Sequence, residues 1–105
     1  MSKTWFLKQG EAFHLMMGNE KVGSVLLKVY SLEVYVNFIS VNEEHRRKGY
    51  GLSLLQRAEK YAQELRINRL RIAVRPENTP AINLYEKFGF KILTRGSFLM
   101  MVKTW

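Results

Sequence analysis

The stretch Arg46-Arg47-Lys48-Gly49-Tyr50-Gly51 lies between a β-branched run, Val34 to Val41, and an amphipathic run, Leu52 to Leu65. It reads as a strand, a basic loop with two glycines, and the start of a helix. Glycines one residue apart let the backbone turn without Cβ clashes, so that consecutive N–H groups converge on an anion at the positive end of the helix. The cations ahead of Gly49 add mobile charge to that dipole, and the whole predicts a cradle for a diphosphate. Neither common nucleotide loop fits. The Walker pattern needs a glycine followed by Lys and Ser/Thr, whereas Leu52 and Ser53 follow Gly51. A dinucleotide fingerprint needs a third glycine where Leu54 stands.

Before the loop, Val34, Val36 and Phe38 share one face of a strand, and Glu33, Tyr35, Asn37, Ile39 and Val41 share the other. Trp5-Phe6-Leu7 reads as a stub of strand. Glu11 to Met17 and Val22 to Tyr30 form a hairpin about Gly18-Asn19-Glu20-Lys21, and Ser31-Leu32 turns into the strand at Glu33. After the loop, apolar residues at Leu54, Leu55, Ala58, Tyr61, Ala62 and Leu65 keep helical spacing, with Asn68 as the exit. Leu70 to Val74 is a strand. Thr79 is the expected N-cap and Pro80 the first position of a second helix, Ala81 to Lys87, stopped by Gly89. Phe90 to Leu93 and Phe98 to Val102 close as a hairpin.

The predicted fold class is α/β (α+β): a mixed, largely antiparallel sheet with two main helices, the order being β-β-β-(β)-α-β-α-β-β. The unit from Val34 to Val74 is expected to cross over right-handedly and to place its two strands parallel. At 105 residues the chain is read as one domain, 1–105. Its formal net charge of +8 draws polyanions. With no cysteine there is no disulfide, thiolate nucleophile or Cys-ligated metal. His14 reads as a strand residue without chemistry and His45 as a solvated loop residue, and no metal site is expected. No signal peptide is read at Met1-Ser2-Lys3-Thr4, and the longest apolar run, Phe98 to Val102, is far short of the ~20 residues of a membrane span. A soluble cytoplasmic protein is expected.

Arg46-x-x-Gly49-x-Gly51, with strand before and helix after, resembles the acyl-CoA pyrophosphate loop of the GNAT superfamily of N-acetyltransferases. Asn78-x-x-Ala81-x-x-Leu84-Tyr85-x-x-Phe88-Gly89-Phe90 resembles the segment that follows the fifth strand in that family. The two motifs stand in order and cover Glu33 to Phe90.

The resemblance implies transfer of the acetyl group of acetyl-CoA, as co-substrate, to an amine by direct attack. Ile39, Ser40 and Val41 would pair with the pantetheine arm, and Arg46, Arg47, Lys48, Gly49, Tyr50, Gly51 and Leu52 would hold the diphosphate. Asn78 would hydrogen-bond the arm, and Tyr85 would protonate the departing thiolate. A phenol of pKa ~10 is protonated at neutral pH and can donate to a thiolate whose conjugate acid lies near ~8.5. The general base is not assigned by the family pattern: one family position is Ala73 and another Tyr35, leaving Glu33 acting through water, or an amine that arrives neutral.

The implied acceptor is a small-molecule or peptide amine, and the implied assembly a homodimer, because helices that build the acceptor site in the family have no counterpart before the first strands. Two other readings stand beside this one. A catalytically silent GNAT-like module would bind acyl-CoA or a protein. A basic nucleic-acid-binding domain would use Arg66, Arg69, Arg71 and Arg75 as a stripe, against which no RNP-like or helix-turn-helix pattern is found.

Overall fold

The computed structural model describes residues 3–105. The signal-peptide reading rests partly on Met1 and Ser2, which lie outside the described residues. The strands are β1 (Thr4–Gln9), β2 (Ala12–Met17), β3 (Glu20–Tyr30), β4 (Glu33–Val41), β5 (Arg69–Val74), β6 (Lys91–Thr94) and β7 (Leu99–Thr104). The helices are α1 (Tyr50–Glu64) and α2 (Thr79–Phe88). One seven-stranded sheet has the order β1-β2-β3-β4-β5-β7-β6. Among the described residues its one parallel pair is β4 with β5, joined through α1, and the other pairs are antiparallel. The expected meander, crossover and closing hairpin are all present, and the stub at Trp5 is a full edge strand.

Alternation decides what each strand buries. Phe13 and Leu15 of β2, Val25 and Leu27 of β3, Val34 and Val36 of β4, Leu70 and Ile72 of β5, and Leu99 and Met101 of β7 all point to one face. Leu54, Leu55, Ala58 and Ala62 of α1, with Tyr85 of α2 and Phe90, cover that face in a single cluster. Spacing of three and four residues puts the α1 set on one stripe, which is why the run folds as a helix against the sheet. No helix covers the opposite face among the described residues, and no helix is long and apolar enough to cross a membrane.

Three boundaries differ from the sequence reading. α1 begins at Tyr50 rather than Leu52, with Gly49 at the N-cap position and no side chain bonded to the first turn. Its left-handed exit is Arg66, not Asn68: past the Leu65 cap, Arg66 has φ 60°, and Ile67 N–H reaches back to the Ala62 carbonyl at 2.8 Å. That six-to-one bond satisfies the last turn two residues early. Asn78, rather than Thr79, caps α2, its Oδ1 accepting from Ala81 N–H at 3.4 Å. The glycine stop holds, with Gly89 at φ 115°.

Candidate functional site

The site starts from a gap in the sheet. β4 and β5 pair only at Val34–Leu70, Tyr35–Arg71 and Val36–Ile72, although β4 continues to Val41 and β5 to Val74. A register shift between Leu26 and Leu27 leaves Asn37 without an opposite residue on β3, and such a bulge bends its strand. From Asn37 to Val41 the β5-facing edge of β4 therefore has no strand to pair with. Backbone N–H and C=O groups along that edge need partners, and an extended polar ligand supplies them.

A cleft of about 670 Å³ runs from this edge to the N-terminus of α1 and one side of α2. β4 contributes Ile39, Ser40 and Val41, the loop and α1 contribute Arg46, Arg47, Gly49, Tyr50, Gly51 and Leu52, and α2 contributes Asn78 and Tyr85. Lys48 is exposed and is not among the residues lining the cleft.

The two glycines do different work. Gly49 is left-handed at φ 83° and ψ 7°, no side chain caps the helix, and the first turn carries no acidic residue. The first N–H groups of α1 and its positive dipole end thus face the cleft unopposed. A Cβ at Gly49 would meet no atom within 4 Å, so there is open room over the loop. Gly51 is helical, and a Cβ there would lie 2.9 Å from Leu84 Cδ2, so this glycine sets the close approach of α1 to α2 rather than a turn. An anion of diphosphate size fits this donor set.

The loop is fastened at several points. Arg46 Nε donates to the Val41 carbonyl at 3.0 Å, and Asn42 donates from its backbone to Val22 O at 2.8 Å and from its side chain to Lys21 O at 2.6 Å. His45 is buried, lines the cleft and lies 2.9 Å from Glu20 Oε2. Reading it as a solvated loop residue is corrected, because only the folded chain brings the β2–β3 turn beneath it. Glu20 and Glu44 lie with His45 in a group whose ligand atoms are within 4.8 Å of one another, so carboxylates do reach a histidine here.

Tyr85 is 6% exposed, and burial pushes its phenol above the usual value. The group therefore stays protonated through the neutral range and is available as a donor, not as a base. Glu33 opens β4, about 20 Å along the strand from the Ile39–Val41 end at 3.3 Å per residue. Its Oε2 accepts from both Arg69 Nε and Arg71 Nε at 3.1 Å, and Arg71 Nε also lies 3.0 Å from Oε1. Glu33, the residue read as a base acting through water, has its carboxylate engaged by two guanidinium groups and is not among the residues lining the cleft. The same contacts take Arg69 and Arg71 out of the basic stripe, and Arg75 stacks over Phe98 with its Cζ 5.3 Å from the ring centroid.

Residues 2–90 match the model of the acetyltransferase (GNAT) family. An N-alpha-acetyltransferase of Sulfurisphaera tokodaii is 45% identical over 58 residues, covering 54% of this chain and 35% of that protein. A mycothiol acetyltransferase of Pseudarthrobacter chlorophenolicus is 30% identical over 98 residues, covering 86% of this chain and 30% of that protein. The crystal structure of PaiA N-acetyltransferase from Thermoplasma acidophilum in complex with coenzyme A superposes with a TM-score of 0.85 at 26% identity, over 90% of this chain and 60% of that one. The chain thus spans about a third of the length of these curated relatives. With the split sheet, the uncapped helix start and both motifs accounted for, the chain belongs to the acetyltransferase (GNAT) family.

Proposed function

We propose that the chain transfers the acetyl group of acetyl-CoA to the amine of a small molecule or peptide. The observation that carries this reading is the unpaired β4 edge, Asn37 to Val41, running into the uncapped N-terminus of α1 within one cleft. The α1 amides, with Arg46 and Arg47, hold the diphosphate. The β4 edge holds the amide-bearing arm and brings its thioester to the level of Ile39–Val41, where backbone N–H groups polarise the carbonyl. One such donor is typically worth about 3–4 kcal/mol in the transition state. Asn78 orients the arm from α2, and Tyr85 returns a proton to the thiolate as it leaves. Relatives named for N-alpha-amine, streptothricin and L-ornithine N5 acetylation support an amine as acceptor.

The test is calorimetric titration with acetyl-CoA, with Gly49→Glu in parallel. The expected result is binding that the variant loses, because the new carboxylate occupies the room over the loop. Thiol release with an amine panel then separates an enzyme from a silent module. Failure of the native chain to bind acetyl-CoA would refute the reading.

The assembly we propose is a homodimer through the β3–β4 hairpin end, where Tyr30 and Leu32 are 53% and 80% exposed. A monomer mass in sedimentation at micromolar concentrations would refute it. We place the protein in the cytoplasm, a reading supported by a chain that carries no cysteine to pair.

A further inference from the structure

The cleft has a proton donor in Tyr85, and among the described residues no carboxylate lines it to take the proton that the amine must lose. The helix-free face of the sheet supplies another group. His14 on β2, Ser24 on β3 and Ser40 on β4 are register partners in one row across three neighbouring strands. Ser40 lines the cleft. Ser24 Oγ lies 2.7 Å from His14 Nδ1, and His14 Nε2 lies 2.9 Å from Gln9 Oε1. An amide oxygen only accepts, so Nε2 carries the hydrogen, Nδ1 is the acceptor, and the Ser24 hydroxyl donates to it. Directly opposed residues in an antiparallel pair have Cβ atoms about 4.5–5.5 Å apart, so rotation about χ1 brings the Ser24 and Ser40 hydroxyls together.

We propose that Ser40, Ser24 and His14 form a proton relay that carries the acceptor amine's proton from the cleft to the open sheet face. The inference rests on the acetyl-transfer reading. As the nitrogen bonds to the thioester carbon and the carbon–sulfur bond breaks, the nitrogen proton passes to Ser40 Oγ. Ser40 passes its own to Ser24 Oγ, and Ser24 passes its own to His14 Nδ1. The imidazolium, steadied by Gln9, releases a proton to solvent, while Tyr85 supplies one to the thiolate and regains it from solvent.

The surroundings favour a neutral imidazole before the step. Burial and, after it, the Lys21 charge hold His14 below its usual value. Leu7 faces it from β1 and Ser24 from β3, and Glu11 of the β1–β2 turn pairs with Lys28 of β3 at 3.8 Å. The histidine that does line the cleft, His45, sits at the anion-binding loop and is engaged by Glu20.

The test uses the whole chain, acetyl-CoA and water as the acceptor that is always present, reading thiol release against pH. In the native protein, release above the enzyme-free blank should rise as His14 loses its proton. His14→Ala and Ser24→Ala should each lower the plateau by about 100-fold, the low end of general-base effects, and abolish that pH limb. Calorimetric affinity for acetyl-CoA should be unchanged in both. Added imidazole should restore His14→Ala, which a purely structural role would not produce. Loss of the limb in His45→Gln with retention in His14→Ala would overturn the relay, as would binding without release above the blank. No acetyl-CoA binding by the native chain would instead sink the cofactor reading, and the relay with it.

Discussion

Gly49→Ala isolates one physical quantity, because the site separates steric from conformational cost. A Cβ at this position meets no atom within 4 Å, so overlap contributes nothing. What remains is the cost of holding an L-residue at φ 83°, about 1–2 kcal/mol. If the loop keeps its shape, that amount appears as lost stability in urea unfolding. If the loop relaxes in the free protein, stability is spared and the same amount reappears as acetyl-CoA affinity weaker by about 5–30-fold. The two losses should therefore sum to about 1–2 kcal/mol, however they divide. Gly49→Asn should recover most of it, since Asn visits the left-handed region. Urea melts and calorimetry on the three proteins settle the matter. An alanine variant unchanged in both would refute the reasoning, and a summed loss well beyond ~2 kcal/mol would mean that space over the loop is not open.

Four other outcomes are expected. Tyr85→Phe should lower kcat by about 100-fold or more with acetyl-CoA affinity nearly intact; parallel loss of both would make Tyr85 a binding residue. Glu33→Gln should lower stability by about 1.5–3 kcal/mol, the worth of hydrogen bonds to charged groups, and leave thiol release unchanged, whereas lost activity in a stable variant would restore Glu33 as the base. Gly23→Ala sets a Cβ 2.8 Å from the Ser40 carbonyl and 3.2 Å from Leu54 Cδ1, so overpacking by about 1–3 kcal/mol should appear as a lower urea midpoint. Burial and, after it, the Lys21 charge hold the His14 imidazole below its ordinary value, so the unfolded chain takes up the proton first. Stability should therefore decline as pH falls below ~6.5, and equal pH slopes for the native chain and His14→Asn would contradict this.

What the sequence made legible is what neighbours along the chain decide. Alternation at Val34 and Val36, helical spacing from Leu54 to Ala62, and the glycines before α1 and after α2 are local signals, and the elements follow them. The α2 cap was ambiguous because Asn78 and Thr79 are both good caps, and only the observed bond from Ala81 to Asn78 Oδ1 chooses between them. The α1 exit at Arg66 opposes residue preference, because Ile67 joins the hydrophobic core and the chain must turn early to put it there. Most of the cleft lining was readable from two motifs. The distinct task of Gly51 depends on Leu84 of another helix, the occupancy of Glu33 on two arginines of β5, and the burial of His45 on Glu20 of a distant turn. None of these contacts has a sequence period. The row from His14 to Ser40 is likewise created by register, which the bulges at Met16 and Leu27 adjust by single residues.

The three paired positions between β4 and β5 also bear on how the molecule comes apart. They join a four-stranded half, β1 to β4, to a three-stranded half, β5 to β7, leaving α1 and a short seam to enforce cooperativity. Such a seam is a natural boundary between units that open separately in amide exchange. A ligand lying along the β4 edge extends the ladder across that boundary, so occupancy adds its linkage free energy where the scaffold is thinnest. Amides of β4 and β5 should then move from separate exchange classes into one, making the proposed co-substrate a missing strand of the sheet.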